Sequence, residues 1–480
     1  MKRVTSWYVR IVSTVLVAAL LFIAIGCSFG AYDDIFCPDY IDQIVNPDRT
    51  LFYGETITIA VGSPWVISPH ATNYMLANPG VRVNVVSYDG GLEVLSESDW
   101  RQVRTEMATR LMAGSAPTLI DSFMVDSFDP RQAAFFYDWR QLMDADPNFN
   151  KEDWFMNAFH AFSVDGRFYH FPINIFYSPV VANRSIPGLL EAMKEYADGI
   201  TFSEIMQLYQ TFSEHYPHHL ELGFSSAWVM HFGGEQFIDV VTGRIEFSEE
   251  FVNQITYADS ITSPDFREWQ DTTRRFWYRI FSRDVDRGRS ERYFFNIDSS
   301  RSFWYFLDFN DNIHMFAGMT PFVNNQGELL VGSADNFHLN ANATIIEKAI
   351  AWDFLMFAMQ PENLPKNHPG LMDMYLLPPN RYLTSHIISE LMSFSQGGNR
   401  HGDYLYPWFP GTLDDAIEGV TARMTAFGEM PMRATRTYPR IIDDIIDENM
   451  RLFHDGLLSA EQTALNIQNQ ITLVLMEMER

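Results

Sequence analysis

Along this 480-residue chain the hydrophobic rhythm changes again and again between two periods. Thr56-Ile-Thr-Ile-Ala-Val61 is a short β-rich run closed by Gly62-Ser63-Pro64. Val81-Arg-Val-Asn-Val-Val86 is a second such run, and Thr118-Leu-Ile-Asp121 a third. Between the second and third, Trp100, Val103, Met107 and Leu111 fall on one helical face, and Gly114 is a fitting stop. The segment ahead of Pro79-Gly80 has room for another helix. Strands alternating with helices imply βαβ units and a mainly parallel sheet.

The same signals recur downstream. Ser185 precedes a helical run through Leu189, Leu190, Met193 and Tyr196, stopped at Gly199. Thr201 and Glu204 have capping-box spacing before Phe202, Ile205, Met206 and Tyr209, and Pro217 ends that helix. Thr344 and Glu347 repeat the device before Ile346, Ile350, Phe354 and Phe357, ahead of Pro361. The last hundred residues read as helical. Ile441, Ile442, Ile445, Ile446 and Met450 form one periodic set, and Ala464, Ile467, Ile471 and Val474 another. No internal repeat and no low-complexity tract interrupts the pattern.

The N-terminus reads as a secretory signal. Lys2, Arg3 and Arg10 precede an apolar run over 11–25, and no acidic residue appears before Asp33. The run is shorter than the roughly 20 apolar residues of a membrane span. It exits through Ala24-Ile25-Gly26-Cys27, which looks like a bacterial lipobox, although Ala24 stands where Leu is usual. Cys27 is therefore the expected lipidation site, with ordinary secretion and a spare cysteine as the alternative. Removal of 1–26 leaves about 450 residues, more than one ordinary core holds, so two domains are expected. Residues 27–52, with scattered Asp, Pro and Asn and no periodicity, read as a tether. Cys37, the second of two cysteines, then has no intrachain partner.

Composition removes several function classes. A formal charge of −27 argues against nucleic acid and would repel acidic ligands. The chain has no phosphate-binding Gly-x-x-x-x-Gly-Lys-Ser/Thr loop and no Gly-x-Ser-x-Gly elbow. His215, His218 and His219 lack the spacing of a zinc site and are interrupted by Pro217. Asp308-Phe-Asn310-Asp-Asn312 begins like a calcium loop but has Ile313 and Met319 where Gly and Glu belong. No cofactor and no metal are expected.

The unusual quantity is aromatic: 39 Phe, 21 Tyr and 11 Trp. Most should be core, but Trp65 beside Pro64, Trp228 near Gly233-Gly234 and Trp408 between two prolines stand in expected loops. A loop Trp suits a sugar, because the ring face meets the C–H face of a pyranose while carboxylates and amides take the hydroxyls.

In order along the chain, several motifs resemble those of the family 1 extracellular solute-binding proteins of ABC importers. Met107-Ala-Thr-Arg-Leu-Met-Ala-Gly114-Ser-Ala-Pro117 resembles the first-lobe helix and strand entry, with Thr118 where Asp is usual. Ser163-Val-Asp165-Gly166-Arg-Phe-Tyr169-His-Phe-Pro172 resembles the hairpin before the first interlobe crossing. Tyr177 and Val181-Ala-Asn183 resemble the segment after it. Asn325-Gln-Gly327, Asn340-Ala-Asn342-Ala-Thr344 and Ala349-Ile-Ala-Trp352-Asp353-Phe354 resemble the return into lobe one, and Gly456-Leu-Leu-Ser459-Ala-Glu461-Gln-Thr-Ala464 a C-terminal segment. The chain departs from the family at Tyr293-Phe-Phe-Asn296-Ile-Asp-Ser-Ser, before Phe303-Trp304, where a cleft wall is usual.

The resemblance implies an α/β, two-lobe fold of the type II periplasmic-binding-protein kind, with crossings near 172–178, 316–322 and 376–381. Lobe one would hold 53–173 and 322–378; lobe two would hold 175–318 and 380–480. It implies capture without catalysis and hinge closure over a small ligand, a sugar or oligosaccharide. The expected contacts are Trp65, Asp121, Ser122, Asn174, Tyr177, Trp228 and Trp304. The expected partners are ABC permease subunits and, through the lipid on Cys27, the outer face of the bacterial cytoplasmic membrane. A monomer is expected. Two other readings stay open: a secreted hydrolase acting on polysaccharide, and a ligand-sensing lipoprotein.

Overall fold

In the computed structural model, the described residues are 38–64, 66–88, 97–177, 179–183, 186–213, 237–239, 244–261, 295–297, 316–364, 378–396 and 413–478. The first sheet begins with β1 (Thr56–Val61), β2 (Arg82–Ser87) and β3 (Leu119–Asp121). β1 lies between the other two and is parallel to both. This is the arrangement that β-branched runs joined by helices require, since parallel neighbours need a crossover. β4 (Phe171–Tyr177) follows, then β5 (Pro179–Asn183). β6 (Ile238–Asp239) and β7 (Arg244–Ile245) form a small ribbon, and β8 (Phe295–Ile297) and β9 (Phe316–Pro321) flank β5 in an antiparallel sheet. β10 (Leu329–Leu339) and β11 (Met432–Ala434) return to the first sheet. Its strand order is β11-β10-β3-β1-β2, with β4 also pairing β10. The sheet is mixed rather than mainly parallel, because β10 runs antiparallel to both β3 and β4.

Ten of the described helices pack around these sheets. They are α1 (Pro38–Val45), α2 (Ile67–Ala77), α3 (Glu97–Met112), α4 (Phe202–Ser213), α5 (Glu249–Ile261), α6 (Ile345–Ala358), α7 (Arg381–Gln396), α8 (Leu413–Glu429), α9 (Arg440–His454) and α10 (Ala460–Met478). Both capping boxes form. The Thr344 hydroxyl accepts from the Glu347 N–H at 3.2 Å, and the Glu347 carboxylate accepts from the Thr344 N–H at 2.8 Å. Thr201 and Glu204 make the same exchange at 3.3 and 2.8 Å. A third cap opens α10, where Ser459 and Gln462 pair reciprocally. In the Asp-Gly hairpin, Val164 and Arg167 exchange both backbone hydrogen bonds, with Asp165 and Gly166 at φ 50° and 76°. That is the left-handed two-residue turn which Asp-Gly favours.

Two cores follow. The first is aromatic: Trp139, Trp154, Phe159, Phe171 and Trp352 pack with Ile57, Ile59 and Phe354 under the first sheet. The Trp139 indole donates to the Phe337 carbonyl at 3.1 Å, and that of Trp352 to Asp146 at 2.7 Å, so neither buries an unmet N–H. Much of the unusual ring content is therefore core. On the other side of the same sheet, Met107 and Leu111 of α3 pack with Ala60, Ile120 and Phe136. The second core joins α4, α5, α9 and α10 to β5 through Ile205, Tyr209, Phe251, Ile442, Ile467 and Ile471. Ile441, counted above with the apolar face of α9, is 43% exposed; the buried stripe is Ile442, Ile446 and Met450.

Two boundaries need correction. The tether reading fails from Pro38 onward, because α1 buries Ile41, Ile44 and Val45 in the first core. Beside them, Lys348 donates to the Tyr40 hydroxyl at 2.7 Å and to the Ala341 carbonyl at 2.8 Å. Its ammonium lies 5.4 and 5.2 Å from the Tyr40 and Tyr137 ring centroids, a buried cation with no carboxylate paired to it among the described residues. The described residues 380–396 and 413–434, which the resemblance assigned to lobe two, pack on lobe one. Leu383 and Ile387 enter the first core, Phe155 N–H donates to the Pro379 carbonyl at 2.7 Å, and β11 pairs with β10. The chain passes from the first sheet to the second between Tyr177 and Pro179. It returns between Pro321 and Leu329, and leaves again between Ala434 and Arg440. Among the described residues, no helix is long and apolar enough to cross a membrane.

Candidate functional site

Parallel strands present their carboxyl ends together, and here β1, β2 and β3 end side by side. Asp121 is the last residue of β3 and is 3% exposed. One carboxylate oxygen accepts from the Phe123 N–H at 3.0 Å, capping the tight turn Ser122–Met124. The other accepts from the Gly62 N–H at 3.1 Å, just beyond β1. The side chain thus ties two strand-end loops together. A Cβ on Gly62 would stand 3.2 Å from the Trp100 ring, so glycine lets this indole close over the end of β1.

The result is an aromatic shelf. Trp100, half-buried on α3, and Phe123 lie 6.1 Å apart with their planes tilted by 36°. Phe123 is 44% exposed, unusual for a Phe beside so large a core. Arg440, the first residue of α9, reaches over it from the second core. Its guanidinium carbon is 6.0 Å from the Phe123 centroid, and Nη2 donates to the Ser122 carbonyl at 3.2 Å. The shelf is thereby built from lobe one and roofed from lobe two.

Behind it lies a polar layer where the lobes meet. Asp126, on lobe one, accepts from the Arg440 N–H at 2.6 Å, placing a carboxylate at the positive end of the α9 dipole. Arg436 reaches Asp443 at 3.5 Å and lies 5.5 Å from the Phe128 centroid. Arg101 on α3 pairs with Asp444 on α9 at 3.1 Å across the rim. Deeper, the His170 and His338 rings approach to 4.5 Å, and His170 Nε2 meets the Ser127 hydroxyl. Burial pushes both imidazoles below their usual range, His338 to about 3, and the nearby Arg440 lowers them further. Both are neutral at physiological pH. Burial likewise lowers Arg440, to about 10, with Arg436 the next cause; it remains charged.

Of the residues expected from sequence, the structure brings Asp121 and Ser122 to the shelf. Asp121 has both oxygens on backbone amides, and Ser122 contributes its carbonyl. Asn174 is fully buried within the pairing of β4 and β10, beside the irregularity at Asp335, and its carbonyl accepts from the Ser333 hydroxyl at 2.6 Å. Tyr177 ends β4 at the first crossing. Trp65, Trp228, Trp304 and Cys27 lie outside the described residues. Sequence reasoning passed over Trp100, Phe123 and Arg440. Trp100 carried the signal of a core helix face, Phe123 lies two residues past a strand end, and Arg440 is more than 300 residues away. Among the described residues, no cluster of His, Cys, Asp and Glu could hold a metal ion.

The sequence matches no protein-family model and no curated protein. Solved structures do match. The sugar-binding protein MalE from the phytopathogen Xanthomonas citri aligns over 88% of this chain and 98% of its own, at TM-score 0.56 and 13% identity. Maltose-bound MalE3 from T. maritima aligns over 88% and 100%, at TM-score 0.52 and 13% identity. The cyclic alpha-maltosyl-1,6-maltose binding protein from Arthrobacter globiformis aligns over 88% and 99%, at TM-score 0.51 and 12% identity. At such identities the likeness is one of fold. With its two cores and its strand crossings, the chain has the two-lobe α/β fold of the MalE-like periplasmic-binding proteins.

Proposed function

We propose that this protein is an extracytoplasmic solute-binding lipoprotein that captures a saccharide for an ABC importer. The observation that carries the reading is the Trp100–Phe123 shelf at the carboxyl ends of parallel strands, roofed by a residue of the other lobe. Open α/β sheets bind ligands at such edges. An exposed ring beside fixed hydrogen-bonding groups suits a pyranose, with its apolar face and polar rim. Closure of the lobes buries the ligand, and the closed form is what a permease reads. Cys27 carries the anchor on this reading, and Cys27→Ser releases the protein from membranes or blocks its processing; unchanged attachment refutes the anchor.

A thermal-shift panel of oligosaccharides tests the binding. A ligand at about 100 times its dissociation constant stabilises the fold by roughly 2.7 kcal/mol, which a melting curve resolves. The bound saccharide is recovered intact. Steady release of products from it would establish the hydrolase instead.

A further inference from the structure

Arg440 is a cation in an unusual position. It is half-buried, and among the described residues its guanidinium donates only to a neutral carbonyl, that of Ser122. Its Nε is buried with no acceptor, and among the described residues no carboxylate forms an ion pair with it. Carboxylates stand near it, but among the described residues none forms an ion pair with the guanidinium itself. Asp126 receives the backbone N–H at the start of α9, Asp443 faces Arg436, and Asp444 faces Arg101. Arg436 and Arg104 add positive charge to the same neighbourhood, which Asp126 and Asp443 offset in part. A buried guanidinium whose donors are left unmet is costly, and the cost is relieved by an anion that reaches them. The guanidinium stands over the exposed Phe123 ring, at the place where a ligand would lie. Its planar fork matches a carboxylate more closely than any neutral hydroxyl.

We propose that Arg440 anchors an acidic group of the ligand, so that the captured saccharide is one that carries a carboxylate, a uronic-acid oligosaccharide. The inference rests on the saccharide reading above and narrows it. One sugar ring lies on Phe123 and Trp100, and its carboxylate accepts from Arg440. The formal charge of −27 opposes such a ligand at long range, but only within about 10 Å at ordinary salt. Added salt therefore speeds association of an acidic sugar and leaves its dissociation nearly unchanged.

The test uses the full-length protein and calorimetry. Oligomers of galacturonate, mannuronate and glucuronate are each compared with the carboxyl-reduced, neutral oligomer of the same linkage. One of the acidic oligomers is expected to bind about tenfold to a hundredfold more tightly than its reduced partner, the range for hydrogen bonds to a charged group. Arg440→Gln should erase that ratio, so that the acidic and reduced oligomers bind the variant alike; a ratio kept in the variant overturns the assignment to Arg440. The wild-type comparison stands even if the variant folds poorly. Equal or tighter binding of the reduced oligomers overturns the charge assignment and leaves the saccharide reading standing. Failure of every oligosaccharide, acidic or neutral, overturns both.

Discussion

Replacing Asp121 by Ala removes a carboxylate that accepts two backbone N–H groups, those of Gly62 and Phe123, at 3.1 and 3.0 Å. Gly62 is buried, so its amide finds no water in exchange. Leaving a buried donor unmet costs about 1–3 kcal/mol, and losing the cap of the turn at Phe123 about 1 kcal/mol. Together these give a destabilisation of about 3 kcal/mol, a large share of a typical folding free energy of about 5–15 kcal/mol. Asp121→Asn keeps one oxygen and should lose roughly half as much. Urea unfolding followed by tryptophan fluorescence reads the first core, where Trp139, Trp154 and Trp352 lie. Calorimetry on the folded fraction reads the ligand. Both variants should shift the unfolding midpoint in that order, with affinity falling because Phe123 is no longer held. A midpoint unchanged from wild type, with affinity lost more than tenfold, would refute this: the carboxylate would then be meeting the ligand and not the strand ends.

Phe123→Ala removes the exposed half of the shelf and should weaken saccharide binding by about 1–3 kcal/mol with little change in the unfolding midpoint. A large loss of stability would place the ring in the core instead. His170 and His338 have folded pKa values below the usual 6.5, so the unfolded chain takes up their protons first. Stability is full above about pH 6.5 and falls on acidification, by at most about 1.4 kcal/mol per pH unit for each histidine. His338→Phe should flatten that dependence between pH 6.5 and 5, and an identical slope in the variant would remove His338 from the account. Thr344→Ala breaks a reciprocal cap and should cost about 1 kcal/mol, read as a lower urea midpoint.

The fold was legible where local chemistry decides it. The β-branched runs before Gly62 and at Leu119–Asp121, the capping boxes at Thr201 and Thr344, and the Asp165-Gly166 turn are each set by a few adjacent residues. What sequence did not show depends on partners distant in the chain. α1 has no periodicity long enough to announce a helix, and only its docking on α6 and on the helix Trp139–Ala145 gives Ile44 a place to be buried. α7 has an amphipathic pattern that fits either lobe, and the hydrogen bond to Pro379 with the pairing of β11 decides for the first. At the site, Asp121 was visible because it ends a strand, but a sequence does not show what its oxygens accept. Trp100 repeats at helical spacing with Met107 and Leu111, so its role at the shelf was indistinguishable from theirs.

The late arrival of β10 has a consequence for how this molecule is made. Among the described residues β3 and β4 do not pair with each other; both are joined by the strand at Leu329–Leu339, about two hundred residues after β3 and about 150 after β4. Its outer neighbour, β11, comes a hundred residues later still. During synthesis or export, the first third of the chain therefore carries an unzipped strand edge and an aromatic interior open on one side. Closing loops of that length adds little to the equilibrium cost, since the penalty grows only logarithmically, but it slows the search. In the interval the exposed rings of Trp139, Trp154 and Phe171 are the surfaces that holding chaperones and neighbouring chains would find first. A chain truncated before Leu329 should accordingly aggregate rather than yield half a protein.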